Sequence, residues 1–315
     1  MHVLAASSAD IGLFLQQLEN GITTGAIYAL VALGYTLVYG IIELINFAHG
    51  DVFMWSTVVT LTVAEALHFD HPLGGFALVG ALLLLIIIGM LTSAAINVTV
   101  ERVAYRPLRR APRLIPLISA IAVSFILENL AQLWKGAGSF AYPEFFPAGA
   151  ITIGSVSFPY LDIFILVLAI VLMVALGLFI SQTKLGRAMR ATAQDPEAAS
   201  LMGVNINQTI ALTFLIGGAL AGAAGVVYSM KFNSVIFNSG FELGLIAFTA
   251  AVLGGIGNVQ GAVLGSFLIG IIESLSTQYI PNGFAWSSAV AFAILILILI
   301  FRPSGLLGQQ VPDKV

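Results

Sequence analysis

The sequence predicts an all-α, polytopic transmembrane helical bundle of about eight or nine spans, with broken helices and inverted repeats. Three observations carry that reading. Asp, Glu, Lys and Arg together make up 9% of 315 residues, against roughly a quarter in soluble domains. Apolar residues (AVILMFWYC) account for 59%, and the mean hydropathy is +1.03. Uncharged runs close to or beyond the roughly 20 residues that cross a bilayer recur at 20–42, 72–100, 163–183, 198–230, 243–272 and 274–301. So few charges cannot cover a water-facing surface, which excludes a soluble enzyme, a disordered chain and a nucleic-acid binder. With no cysteine, disulfide and thiolate chemistry are absent as well.

Lys and Arg orient the spans, because they accumulate in cytoplasmic loops. Arg102, Arg106, Arg109, Arg110 and Arg113 share one loop, and Lys184, Arg187 and Arg190 another. Arg302 and Lys314 follow the last apolar run, leaving only Lys135 and Lys231 outside. Threading through these anchors gives spans 22–42, 51–69, 76–100, 115–134, 160–181, 208–230, 242–257, 259–280 and 284–302. The N-terminus is then outside and the C-terminus cytoplasmic. The segment 242–257 is short and Gly-rich, which leaves the count at eight or nine.

Ahead of the first span, Ile11, Phe14, Leu15 and Leu18 recur at helical spacing among polar residues. They predict a short helix lying in the outer interface. The stretch 136–159 is rich in Phe and Tyr, as membrane boundaries are. Within it, 150–158 predicts a small hairpin centred on Gly154 and Ser155.

The same topology needs two further cytoplasm-side turns, and neither carries a base. One holds Glu43, Asn46, His49 and Asp51; the other holds Gly254, Gly255, Gly257, Asn258 and Gly261. Both are expected to be helix breaks inside the membrane, shielded by protein or lining a cavity. Interrupted helices paired between two halves point to inverted repeats with a pathway between them. Asn46, His49 and Asp51 are either a polar turn at the headgroups or a pathway lining, and the glycines serve close helix packing or the pathway. Glu128 and Glu273, near the outer ends of their spans, pair locally or snorkel, or else face the pathway.

A docking element is legible in 183–205. Asp195 is a good N-cap, Pro196 suits the first helical position, Glu197 favours the positive helix end, and Gly203 can end the helix in the left-handed conformation. Ala198, Ala199 and Ser200 give this short helix a narrow side that another protein can approach. The alternative is an interfacial helix held against lipid headgroups.

These residues also carry a resemblance. The pattern Glu197-Ala198-Ala199-x-x-x-Gly203 resembles the EAA loop of ABC importer permeases, where it docks on the ATPase. Gly40-Ile41-Ile42-Glu43-Leu44-Ile45-Asn46-Phe47-Ala48-His49-Gly50 resembles the first-half signature of branched-chain amino acid permeases. The stretches 101–109 and 248–257 do so too, so that several motifs match in order from about residue 20 to residue 308. The likeness is strongest to the shorter of the two permease types.

The resemblance implies one permease domain over 1–315, with a cytoplasmic coupling loop at about 183–207. In that loop Gly186, Arg187, Arg190, Asp195, Glu197, Ala198, Ala199 and Gly203 would couple to the ATPase. The implied protein is an ATP-driven importer in the inner membrane of a prokaryote, moving leucine, isoleucine or valine. Its implied partners are a second permease (a paralogue or a second copy), two cytoplasmic ATPases and an external substrate-binding protein. The sequence contains no Walker A, HExxH or GxSxG motif. No catalytic centre, metal site or cofactor is therefore expected on this chain, and ATP and Mg belong to the partner subunits. Urea, short amides and other neutral amino acids are alternative substrates. An ion-coupled secondary carrier and a channel-like or structural subunit are the alternative classes.

Overall fold

In a bilayer, backbone polar groups must find partners within the chain, and helices satisfy them locally. The computed structural model describes residues 2–109, 111–112 and 114–308, with residues 2–10 described by backbone alone. Arg110, Arg113 and Lys314, three of the orienting bases, lie outside the described residues. The helices are α1 (His2–Ile42), α2 (His49–Ala66), α3 (Gly75–Val100), α4 (Leu114–Lys135), α5 (Tyr160–Gln182), the short α6 (Lys184–Gln194) and α7 (Pro196–Leu201), then α8 (Ile206–Phe232), α9 (Ser239–Gly254), α10 (Val259–Tyr279) and α11 (Gly283–Phe301). Among the described residues, seven are long and apolar enough to cross a membrane. The more polar α2 and the 16-residue α9 supply the other two, so each of the nine predicted spans has a helix. Thr57, Thr60 and Thr62 return their hydroxyls to carbonyls three or four residues back, which lets α2 be buried without orphan hydroxyls.

The N-terminal segment departs from expectation. No separate interfacial helix precedes the first span: α1 runs unbroken for 41 residues, roughly 60 Å at 1.5 Å per residue. Nothing in 2–42 breaks a helix, since it holds no proline, and the outer turns find protein to stand on. Gln16 donates to Ser157 O at 2.9 Å and accepts from Ser157 N at 2.8 Å. The middle of α1, Ala26 to Leu33, is buried at the centre of the bundle. It lies along α10 at a separation set by glycine: a β-carbon on Gly270 would stand 2.4 Å from Gly21 O. Small residues allow such approach where apolar tails give helices no other reason to associate.

The two ends of the bundle differ. At one end, β1 (Ser139–Phe140) and the hairpin of β2 (Ala150–Ile153) and β3 (Val156–Pro159) cover the helices, and β1 pairs antiparallel with β4 (Val235–Ile236). Gly154 makes the hairpin turn at φ +64°, as its sequence predicts. Tyr142 and Phe145 are buried beneath the loop, Phe145 against Phe69 and Tyr142 against Phe145. Lys135 pairs with Glu65 at 2.5 Å, and Lys231 with the buried Asp162. The opposite, basic end carries α6, α7 and the loop after α3, which passes through a π-helical turn, Glu101–Tyr105, closed by Arg106 N donating to Glu101 O at 2.7 Å. Both interrupted pairs, α1 with α2 and α9 with α10, run from the hairpin end to the basic end and back.

Candidate functional site

The first break is shorter than the sequence suggested. α1 ends at Ile42, Glu43 turns the chain at φ +51°, and α2 begins at His49. His49 and Asp51 are therefore not in the break but in the first turn of α2. That turn is recessed. His49 abuts Gly34, eight residues before the end of α1, which places the start of α2 roughly 12 Å inside the end of α1. The intervening turn is held by side chains of other elements. Tyr105 Oη donates to Ile45 O at 3.0 Å, Asn46 Nδ2 donates to Asn97 Oδ1 at 3.1 Å, and Asn97 Nδ2 donates to Phe214 O at 2.6 Å.

Asn46, His49 and Asp51 are all enclosed, at 1%, 0% and 0% exposure, so in this conformation they line no open channel. The His49 ring sits edge-on to Tyr35, with centroids 4.7 Å apart, and neither ring nitrogen makes a well-formed hydrogen bond among the described residues. Asp51 accepts from Ser124 Oγ through Oδ2, while Oδ1 is unpartnered beside Gly240. Glycines 50, 240 and 244 let the start of α2 lie flush on α9. Asp51 is also in the first turn of α2, where the helix dipole favours a negative charge. Glu43, by contrast, is exposed and lines a cavity of about 250 Å³ with Tyr39 and Leu117.

The second break spans Gly255 to Asn258, and Gly254, Gly255 and Gly261 around it are closely packed. A β-carbon on Gly254 would stand 1.8 Å from Gly261 O, so α9 and α10 touch backbone to backbone. Gly255 and Gly257 take φ of +109° and +91°, values that only glycine adopts without strain. Asn258 caps α10, accepting from Gln260 N and Gly261 N, and donates to Leu307 O at 2.9 Å. The segment 304–308 folds over this break, with Leu306 N and Leu307 N donating to Leu253 O and Gly254 O. The breaks converge: Gly257 faces Gly40 near the end of α1, and Phe248 of α9 touches both Tyr35 and Phe47.

At the basic end, α7 is capped as its sequence predicts. Asp195 accepts from Glu197 N and Ala198 N at 2.9 and 3.0 Å, and Gly203 takes φ +86°. Ala198 and Ser200 are exposed, but Ala199 turns inward at 4% exposure. Leu201 and Met202 share the outward surface, exposed by 87% and 85%. Gly186 is buried where a β-carbon would meet Ile180 O at 2.3 Å, and Arg190 donates to the same carbonyl. Both residues fasten α6 to the end of α5, Gly186 from within and Arg190 from an exposed position.

A family model described as "Branched-chain amino acid transport system / permease component" matches residues 17–299. The chain belongs to that family. It is 43% identical over 310 residues to the high-affinity branched-chain amino acid transport system permease protein BraD of Pseudomonas aeruginosa, covering 96% of this chain and 98% of the relative. It is likewise 43% identical over 307 residues to the corresponding protein LivH of Escherichia coli K12, with the same coverage. A solved structure, PsaBC from Streptococcus pneumoniae in complex with Fab, aligns over 92% of each chain with a TM-score of 0.48 and 14% identity. The chain is thus a multi-pass membrane permease, a transport subunit rather than a catalytic one.

Several residues of this permease escaped the sequence reading. Tyr105 and Asn97 hold the first break, and Ser124 meets Asp51, yet none is near these partners in sequence. Glu101, wholly buried, pairs with Arg109; burial draws the Arg109 guanidinium below its ordinary pKa, against the pull of Glu101. Of the two acids near the outer ends of their spans, Glu273 accepts from Tyr28 Oη of α1 at 2.7 Å. Glu128 is half-buried on α4, one turn beyond Ser124. A cavity of about 270 Å³ opens at the hairpin end beside Glu144, Phe146 and Lys231, where Lys231 is already matched by Asp162 and Glu144 by Asn233.

Proposed function

We propose that this permease carries branched-chain amino acids into a prokaryotic cell as one subunit of an ATP-driven importer of the inner membrane. An external binding protein delivers the substrate at the hairpin end, which faces outward with the N-terminus. The basic end and the C-terminus face the cytoplasm. ATP and Mg bind two ATPase subunits there, and a second permease, a paralogue or another copy of this chain, completes the pathway. The observation that carries the reading is α7: a six-residue helix, capped at both ends, that presents Leu201 and Met202 to the aqueous side next to the basic α6. A soluble partner accounts for two large apolar side chains held there, and an ion-coupled carrier would leave them without a role.

ATP binding moves the permease pair between outward-open and inward-open states to the extent that the ATPases bind one state better. The pathway and gate are assigned to the first break and the start of α2, Glu43, Asn46, His49 and Asp51, meeting the end of α9 and the second break at Gly254, Gly255, Gly257 and Asn258. Arg187, Asp195, Glu197, Ala198 and Gly203 shape or flank the docking surface, which Gly186, Arg190 and Ala199 hold in place.

Co-purification tests the assembly. The intact permease should retain an ATPase, and the double change Leu201→Ser with Met202→Ser should release it while the permease stays folded. Gradient-driven uptake by this chain alone in liposomes would overturn the importer reading. The substrate is tested on the external binding protein: affinity for leucine, isoleucine or valine is expected, and a protein that binds urea and ignores leucine would sink that assignment.

A further inference from the structure

The ion pair between Glu101 and Arg109 is enclosed, with side-chain exposures of 1% and 19%. Stability does not account for such a pair, since apolar replacements of similar volume often do as well or better. Its neighbours lead in two directions. The other arm of the guanidinium, Nη1, donates to Asn207 Oδ1 at 2.7 Å. Asn207 is in the first turn of α8, joined to α7 only by the short link 202–205. In the other direction, Glu101 opens the π-helical turn and Tyr105 closes it. Tyr105 Oη donates to Ile45 O at 3.0 Å, with Asn46 Oδ1 3.2 Å away. A π turn is a rare conformation, seen mostly as a single turn inside an α-helix and often at functional sites.

We propose that Asn207, Arg109, Glu101 and Tyr105 form a mechanical relay between the docking helix α7 and the turn that closes the first break. The relay rests on the reading that α7 receives an ATPase. Displacement of α7 shifts the base of α8, Asn207 draws on the guanidinium, the π turn follows Glu101, and Tyr105 moves the turn at 45–46 with the start of α2 behind it. Arg109 and Tyr105 are then positioning residues, touching neither the transported molecule nor the ATPase.

The test uses the complete importer in liposomes, with uptake and ATP hydrolysis measured separately. Asn207→Leu removes the acceptor at an exposed position, Asn207→Asp keeps one, and Tyr105→Phe removes only a hydroxyl. Asn207→Leu and Tyr105→Phe should each lower the substrate moved per ATP by roughly 2- to 30-fold, the range reached by mutations along coupling networks. Hydrolysis should persist, and Asn207→Asp should stay near the original ratio. The double variant should lose no more than the worse single one, because both cut one connection. An unchanged ratio, or losses that multiply, overturns the relay. Should Tyr105→Phe not assemble, the Asn207 pair decides: loss with Leu and retention with Asp supports the relay, and equal behaviour refutes it. An unaltered permease that retains no ATPase overturns the docking reading itself, and that result is in hand before any variant is made.

Discussion

A β-carbon on Gly34 would stand 2.2 Å from Nε2 of His49, so α1 and α2 meet through a residue that has no side chain. The ring cannot retreat: Tyr35 closes one side, and Gly217 of α8 passes close to Gly34 on the other. Gly34→Ala should overpack this contact and cost about 1–3 kcal/mol, read as a lower thermal midpoint of the purified protein in detergent. Adding His49→Ala to Gly34→Ala should recover most of the loss. A midpoint that Gly34→Ala leaves unchanged would mean that the ring has space the geometry denies it.

His49 gives a second, opposite expectation. Its two ring nitrogens are buried and make no well-formed hydrogen bond among the described residues, a condition that costs about 1–3 kcal/mol per group relative to a satisfied one, whereas an apolar group of similar shape is nearly neutral. His49→Leu should therefore hold or raise the thermal midpoint. Uptake should fall all the same, because a polar ring stored without a well-formed hydrogen bond has its use in the state where the break opens. A lower midpoint with normal uptake would assign His49 to packing alone.

The pair of Glu101 and Arg109 separates charge from volume. Arg109→Met removes the base paired with a carboxylate at 1% side-chain exposure, a change that costs about 3–5 kcal/mol in comparable buried pairs. The double change of Glu101→Leu with Arg109→Met removes both charges and should restore most of the midpoint. If the double variant is as unstable as the single one, the site depends on these side chains for shape and not for charge balance.

How far these features were legible follows from how local each one is. The cap of α7 needs only Asp195, Pro196 and Gly203, all within nine residues, and the β2–β3 hairpin needs only Gly154 between two short apolar strands; both were readable. The nine helices followed from apolar runs and the placement of bases. The helix α6 carries only a weak mark in the sequence: Gly186, Met189 and Thr192 recur on its buried face, but only Met189 of the three is a large apolar anchor. Composition could not tell whether Tyr142 and Phe145 lie in a lipid interface or plug a loop, since both places favour aromatics. The network of Asn46, Asn97, Tyr105 and Phe214 joins residues up to 168 positions apart, and no periodicity marks such a meeting. The inward turn of Ala199 likewise depends on how α7 lies against α6 and α8, which a capping pattern does not specify.

The docking helix supplies the last expectation. With six residues, α7 makes few internal hydrogen bonds, and so short a helix is held mainly by its ends. Asp195→Ala removes the acceptor of two backbone N–H groups, a loss of about 0.5–2 kcal/mol. Gly203→Ala places a β-carbon at φ +86°, at a further cost of roughly 1–2 kcal/mol. Because α7 projects from the bundle, these losses fall on the helix and not on the spans. The thermal midpoint should stay where it is, while amide hydrogen exchange at 197–201 speeds up and ATPase retention drops. Asp195→Asn separates the cap from the charge: asparagine caps about as well as aspartate, so retention should persist. If Asp195→Asn releases the ATPase as Asp195→Ala does, the partner reads the carboxylate itself, and the preformed helix is not what it binds.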